Sequence, residues 1–271
     1  MKIIPFGCSH MASITSAIQH KNNNEFVKYF DFNSGVIGGN SNQKIIEDVY
    51  RTSNKIRLEP KFTGPTNVNN PIKPIHPEEY LSSNSIFYIQ TSYTNRLWLP
   101  TTLDSYTSSF HTMDENGALL FRNNPYAKKE LLKFYETYIK YFWNYHLNLL
   151  DLLQKIDMLQ TYLKSKNIKF IHMFWSFGGN SHEWLDDTPN SILKNADGRF
   201  DEIQEQIKDI LNKIEYIKPY GYNTTTDWIL ELQKTHKDEE IFSDTIHLSE
   251  DKYYELFKDV ILPECELKLK V

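Results

Sequence analysis

The residues that could carry nucleophilic chemistry lie near the two ends of the chain. Gly7-Cys8-Ser9-His10 places a serine hydroxyl group directly after an apolar run, and Asp244-Thr245-Ile246-His247 places an imidazole shortly after a carboxylate. This spacing lets the carboxylate accept a hydrogen bond from Nδ1 while Nε2 takes the serine proton as a general base near neutral pH. Each cluster also has a simpler interpretation: Ser9 as a helix N-cap and Asp-x-x-His as a surface turn.

A further polar cluster, Gly38-Gly39-Asn40-Ser41-Asn42, offers donors for a developing negative charge. Glycine lets the backbone approach a ligand closely, and the Asn40 amide carries N–H groups. A backbone N–H from Gly39 or Gly38 together with the Asn40 side chain is suited to stabilising a tetrahedral oxyanion. The alternative is a glycine turn in which Ser41 or Asn42 caps the following helix.

The elements that must position these clusters alternate between strand and helix patterns. Apolar, β-like segments cover residues 2–6, 26–32, 85–91 and 169–175. Helical spacing covers residues 9–19, 42–56, 126–164, 201–216 and 250–260. Nearly continuous hydrophobicity in the later strands is typical of parallel strands that are buried on both faces. The pattern predicts an α/β fold, a three-layer α/β/α sandwich with a mainly parallel sheet, whose functional groups gather at the carboxyl ends of the strands.

The length of 271 residues suits one domain spanning 1–271 that carries an inserted irregular and helical region at about 100–165. Residues 57–84, rich in proline, read as an irregular surface connection. The aromatic side of the helical stretch at 126–164 is interpreted as core or interface, which makes this insertion a candidate for homo-oligomer formation.

Composition and charge narrow the partners and the location. The net charge of −5 argues against nucleic-acid binding, and no apolar stretch approaches the roughly 20 residues of a membrane span. The apolar start is too short for a secretion signal, so we expect a cytoplasmic protein with Cys8 and Cys265 as free thiols. Abundant Asn, Lys, Ile and Tyr indicate a low-GC microbe or one of its viruses, which would place the protein in a virion or host cytoplasm.

Taken together and in this order, the three clusters resemble the sequence blocks of the SGNH (GDSL-like) hydrolases. Gly7-Cys8-Ser9-His10 resembles the first block, Gly38-Gly39-Asn40 the second and Asp244-Thr245-Ile246-His247 the last. The resemblance implies a flavodoxin-like three-layer domain with esterase activity on acyl or acetyl esters. It implies no cofactor and no metal.

The resemblance also implies a role for each matching residue. Ser9 would be the nucleophile and an oxyanion donor through its N–H group, with Gly39 and Asn40 as further donors. His247 would be the base and Asp244 its orienting partner. Cys8 stands where the family usually has Asp, in a position whose side chain points away from the chemistry.

The family's Gly-x-Asn-Asp block is absent in that form. Gln90-Thr91-Ser92-Tyr93-Thr94-Asn95-Arg96 stands in its place, and we expect Thr91, Ser92 or Asn95 to reach the substrate pocket. Arg96 either binds a substrate carboxylate or pairs with a surface acid, and the second interpretation is favoured.

Other candidate residues are ranked lower. His172 follows the pattern of a pocket-lining residue, whereas His172, His182 and Glu183 lack the spacing of a zinc site. Residues 220–228 read as an exposed aromatic loop, for which an ordinary turn is favoured over carbohydrate stacking.

The sequence thus predicts a serine ester hydrolase that acts on a small-molecule or carbohydrate ester, with O-acylated carbohydrate as the favoured substrate. Two alternatives stay open. One is a non-catalytic binding or structural protein that keeps the fold, and the other is an acyltransferase that uses the same triad.

Overall fold

A computed structural model describes residues 1–21, 42–56, 81–82, 84–92, 97–98, 109–110, 137, 145–177, 199–243 and 247–270. The strands within these ranges are β1 (Lys2–Phe6), β2 (Ser85–Thr91), β3 (Leu97–Trp98), β4 (Ser109–Phe110) and β5 (Phe170–Phe174). The helices are α1 (Ser9–His20), α2 (Asn42–Ser53), α3 (Tyr145–Ser165), α4 (Arg199–Lys213), α5 (Thr225–Gln233), α6 (Asp238–Ile241), α7 (Glu250–Leu256) and α8 (Leu262–Lys270), with a 3₁₀ turn at Pro219–Gly221 and a π turn at Phe257–Ile261.

A parallel sheet in the order β1-β2-β5 forms the centre of the described chain. Ile4 lies opposite Phe87 in its register, and an isolated parallel bridge from Met173 to Ile217 continues the pairing beyond β5. β3 and β4 form a separate antiparallel pair. Because parallel strands need long crossovers, the helices between them are placed on the faces of the sheet.

Alternate residues of each strand are buried on opposite faces, which produces the three layers. One face contributes Ile3, Tyr88 and Met173 to a cluster with α1, α5 and the C-terminal helices. The other face contributes Phe6 and Phe87 to a cluster with α2 and α3. Both faces are therefore covered by helices, and the predicted α/β/α architecture with a parallel sheet is confirmed.

The predicted strands at 2–6 and 85–91 are confirmed at both ends, and the one at 169–175 is observed over 170–174. The predicted strand at 26–32 lies outside the described residues. The predicted helices at 9–19, 42–56 and 201–216 are each confirmed to within three residues at either end. Of the predicted stretch at 126–164, the described part is α3 and the isolated position 137.

The predicted helix at 250–260 is confirmed as the start of the last helix, which continues into α8 because its buried stripe extends through Ile261 and Cys265. Pro263 lies inside it, and a proline has no N–H and crowds the carbonyl group of the residue four positions earlier. The preceding π turn widens the helix there, with the Leu262 N–H donating to the Phe257 carbonyl group. The helix thus passes the proline without ending.

The interpretation of residues 220–228 as an exposed aromatic loop is wrong for its second half. Thr224 accepts a hydrogen bond from the Asp227 N–H, and Asp227 accepts one from the Thr224 N–H. This capping box starts α5 and turns Trp228 inward, where it is only 6% exposed. Tyr220, at 43% exposed, stacks on the Trp228 ring at a centroid distance of 4.7 Å.

Candidate functional site

Ser9 lies where β1 ends and α1 begins. Cys8 is the N-cap residue, its backbone is extended, and its side chain makes no capping hydrogen bond. Ser9 is therefore the first helical residue, and the interpretation of Ser9 as the N-cap is wrong. A partly exposed hydroxyl group in the first turn lies beside backbone N–H groups that have no acceptor within the helix.

Gly7 is required at this turn for space. A Cβ atom at Gly7 would lie 2.7 Å from Met11 Cβ and 3.2 Å from Met11 Cγ. The backbone of Gly7 does not have the positive φ that would demand glycine, in contrast to Gly221. Glycine is therefore needed here for close packing between the strand end and the first turn of α1, and not for a special backbone conformation.

His10, the neighbour of Ser9, brings the two ends of the chain together. Its ring is fully buried and stacks on Trp175 at a centroid distance of 3.7 Å. Its Nδ1 lies 2.9 Å from the Tyr253 hydroxyl oxygen, a hydrogen bond across 243 positions of sequence. The ring of His247 lies 5.1 Å away from the His10 ring. The first turn of α1 and the segment before α7 are therefore in contact.

The packing of α1 against α7 extends this contact. His20 Nδ1 lies 3.5 Å from a Glu250 carboxylate oxygen, and Lys21 pairs with Asp251. The same pair raises the pKa of Lys21 and lowers the pKa of Asp251, chiefly through its hydrogen bond. Exposed ion pairs contribute little to stability, so the association of α1 with α7 depends mainly on the buried apolar side chains between the two helices.

The segment that carries His247 is closed by backbone hydrogen bonds. Phe242 and Leu248 form an antiparallel bridge, and the Ser243 N–H donates to the His247 carbonyl oxygen at 2.9 Å. The Ser249 N–H donates to the Ile241 carbonyl oxygen at 2.7 Å. His247 is half-buried, and its backbone is held by the bond to Ser243 and by the bridge at Leu248.

The carboxyl end of β2 holds a second group of polar side chains. Thr91 Oγ1 lies 3.1 Å from His172 Nε2, and both residues are buried. The Ser92 N–H donates to Asn42 Oδ1 at 2.6 Å, and Asn42 Nδ2 donates back to the Ser92 carbonyl oxygen at 3.3 Å. Asn42 therefore uses its side chain to clamp the end of β2, a role that the sequence did not suggest.

Burial determines the chemistry of this second group. It lowers the pKa of His172 from 6.5 to about 3, so this imidazole is neutral at physiological pH. Within the described part of the chain, His172 Nδ1 and Ser92 Oγ are buried and have no hydrogen-bond partner. His172 is only 1% exposed, so it lies beneath the carboxyl edge of the sheet, with its side chain covered.

Several predicted site residues lie outside the described residues. They are Gly38, Gly39, Asn40, Asn95, Arg96, His182, Glu183 and Asp244. Of the described ones, His247 lies beside His10, the neighbour of Ser9 in sequence, while Thr91 ends the adjacent strand β2 and Ser92 follows it. The Ser9 hydroxyl group makes no hydrogen bond within the described ranges. Across the same ranges, no group of three or more His, Cys, Asp or Glu could hold a metal ion.

A cavity of about 590 Å³ opens at the opposite, amino edge of the sheet, with Phe87, Lys55 and Lys166 among its lining residues. α2 and α3 both end beside it, closed by Lys55 at φ 59° and Asn167 at φ 55°. Lysines near helix C-termini complement the negative end of the helix dipole, which explains the basic lining. This cavity is separate from the strand ends that carry the candidate catalytic residues.

Cys8 and Cys265 are buried free thiols, and burial raises the pKa of Cys265 well above its ordinary value. No helix in the described ranges is both long and apolar enough to cross a membrane.

Fold and site together define a three-layer α/β protein with a cluster of histidine, serine and threonine side chains at the carboxyl edge of its parallel sheet. No family model matches the chain, and no curated protein matches it. Among solved structures, the crystal structure of an acetyl xylan esterase, AlAXEase, is similar, with a TM-score of 0.37 and 11% identity over 100% of both chains. Similarity at this level establishes neither a family nor an activity.

Proposed function

We propose that the chain is a serine ester hydrolase in which Ser9 is the nucleophile, His247 the general base and Asp244 its orienting partner. The 5.1 Å separation of the His10 and His247 rings is the observation that supports this most directly. Because Ser9 adjoins His10, an alcohol from the start of the chain lies in the same neighbourhood as an imidazole from its end.

The proposed reaction has two halves. His247 Nε2 takes the proton of Ser9 as Ser9 Oγ bonds to the ester carbonyl carbon, and the tetrahedral intermediate collapses as His247 returns the proton to the departing alcohol. Water then gives a proton to His247 and attacks the acyl-enzyme, which releases the acid and restores the Ser9 hydroxyl group. The chemistry requires no redox partner.

The start of α1 suits the charge that develops on the carbonyl oxygen. The first N–H groups of a helix are unpaired and carry the positive end of its dipole, and Cys8 supplies no side-chain cap that would compete for them. We propose the Ser9 N–H as one oxyanion donor, with Gly39 and Asn40 as the others. Fixed donors of this kind contribute more to catalysis than mobile water.

Among the described residues, no hydrogen bond joins the Ser9 hydroxyl group to His247. Such bonds are often long without substrate and tighten only when the reacting group is bound. We propose acyl and acetyl esters as the substrate class, with O-acylated carbohydrates first among them.

A fluorophosphonate probe and p-nitrophenyl acetate test the proposal. We expect covalent labelling at Ser9, mapped by mass spectrometry, and turnover of the ester. Ser9→Ala removes both. Ser13→Ala is the matched control, because Ser13 lies one turn along α1 and its hydroxyl group donates to the Ser9 carbonyl oxygen at 3.1 Å. An unlabelled wild-type protein, or full turnover by Ser9→Ala, refutes the proposal, and diversion of the acyl group to added alcohols identifies an acyltransferase.

We further propose a single domain whose inserted region, about 100–165, mediates self-association. The helix α3 in that region buries Leu153, Leu159 and Leu163 against the rest of the chain, so a deletion there would remove core. Light scattering over a dilution series is the better test, and a monomer at every concentration contradicts self-association.

A further inference from the structure

We infer that His10 is a positioning residue that holds the imidazole of His247 for catalysis. The inference rests on the proposed function and assigns a role to a residue outside the triad. His10 is 0% exposed, so it lies behind the site and has no surface to offer a substrate. Its effect must therefore pass through the side chains that it contacts.

Two contacts with described residues set the orientation of the His10 ring. The ring is nearly parallel to the Trp175 indole, with an interplanar angle of 11° at 3.7 Å, which sets its plane. The hydrogen bond between Nδ1 and the Tyr253 hydroxyl group, at 2.9 Å, sets its rotation within that plane. Trp175 and Tyr253 are each 1% exposed, so both contacts are shielded from water.

Hydrogen bonds of their own backbone groups fix Trp175 and Tyr253, the two residues that orient His10. The Trp175 N–H donates to the Thr91 carbonyl oxygen at 2.9 Å. The Trp175 carbonyl oxygen accepts from the Thr226 N–H at 2.9 Å and from Thr226 Oγ1 at 2.8 Å. Tyr253 lies in α7, and its N–H donates to the Ser249 carbonyl oxygen at 3.0 Å. The ring of His10 is thus tied to β2, the end of β5 and α7.

His247 lies against this fixed ring. The two imidazoles are 5.1 Å apart and inclined at 49°, within the range of aromatic pairs. His247 is half-buried and lies in a connecting segment. A side chain in such a segment keeps one orientation when a fixed neighbouring side chain packs against it. A general base displaced by about 1 Å loses on the order of 10²-fold in rate. The positioning role therefore predicts a loss in kcat with KM nearly unchanged.

Paired variants separate positioning from bulk packing. His10→Leu and His10→Asn are similar in shape, but Asn keeps a polar group where Nδ1 bonds to Tyr253. Tyr253→Phe removes only the hydroxyl group. His20→Ala is the control, since His20 is an exposed histidine on the same helix. Circular dichroism and thermal melting select the variants that fold.

We expect kcat for p-nitrophenyl acetate to fall about 10²-fold in His10→Leu and about tenfold in Tyr253→Phe and His10→Asn, with KM within about twofold. His20→Ala keeps the wild-type values. Wild-type kcat in folded His10→Leu and Tyr253→Phe overturns the inference, as does a loss that follows the melting temperature.

A spectroscopic measurement tests the positioning role of His10 independently of catalysis. In the Ser9→Ala background, the ring ¹⁵N signals of His247 report its orientation without turnover. We expect one sharp set of signals that shifts or broadens in Tyr253→Phe and His10→Leu and stays unchanged in His20→Ala. Unchanged signals in all variants overturn the positioning role, whereas failure of the Ser9 labelling experiment overturns the enzyme assignment alone.

Discussion

Replacing His172 with glutamine should reduce the acid sensitivity of the protein. Burial lowers the pKa of His172 from 6.5 to about 3. Between these two pH values the His172 ring is therefore neutral in the folded protein, whereas in the unfolded chain it gains a proton below pH 6.5. The unfolded state then binds more protons than the folded state, and stability falls as the pH drops from 6.5 toward 3. Glutamine keeps a polar group for Thr91 and does not titrate.

The size of the effect follows from the two pKa values. At pH 5 the unfolded chain has passed its pKa by about 1.5 units, and at 1.36 kcal/mol per unit His172 alone costs about 2 kcal/mol. Burial also lowers the pKa of His146 to about 4. His146 therefore makes stability fall with pH in a similar way, and equally in the wild type and in His172→Gln. Above pH 5 most carboxylates are ionised in both states, so histidines dominate this window.

Urea denaturation followed by circular dichroism at pH 7, 6 and 5 measures the difference. We expect the wild type to lose about 2 kcal/mol more than His172→Gln between pH 7 and 5. A lower stability of the variant at pH 7 does not affect the comparison, because only the slope is tested. Parallel curves for the two proteins would show that His172 is protonated in the folded state and would refute the reasoning.

Further expectations concern packing, backbone clamping and thiol burial. Gly7→Ala should lower the unfolding free energy by about 1–3 kcal/mol in urea denaturation, since its Cβ would meet Met11 Cβ at 2.7 Å; unchanged stability would contradict this packing. Asn42→Ala should cost about 1–3 kcal/mol by removing both hydrogen bonds to the Ser92 backbone, while Asn42→Asp keeps the acceptor for the Ser92 N–H and loses less. Cys265 should resist Ellman's reagent until urea unfolds the chain, because burial raises its pKa; rapid reaction in native buffer would argue against its burial.

The sequence predicted the elements whose signal is local. The strand at 85–91 is a continuous apolar run, and its bounds agree with the structure. The start of α5 was not predicted, because the aromatic residues at 220–228 were interpreted as an exposed loop. In the structure, Thr224 and Asp227 form a capping box there. Its signal was present in the sequence, as S/T-x-x-D/E before an apolar residue.

The candidate site was predicted only in part. Placing both clusters at the carboxyl edge of a parallel sheet predicted that the start of α1 and the segment of His247 lie side by side, and the rings of His10 and His247 are in contact there. The role of His10 could not be predicted, because its partners Trp175 and Tyr253 are distant in sequence and only packing brings them to it. The clamp of Asn42 on Ser92 has the same origin, since a side-chain contact across 50 positions leaves no periodic pattern.

The bond between His10 and Tyr253 also has a consequence for synthesis on the ribosome. Its partners are separated by 243 positions, so His10 leaves the ribosome long before Tyr253 is available to bond with it. Until then the indole of Trp175 and the face of α1 are not covered and expose apolar surface to water or to chaperones. A truncation before Tyr253 would therefore yield a product that cannot form this bond.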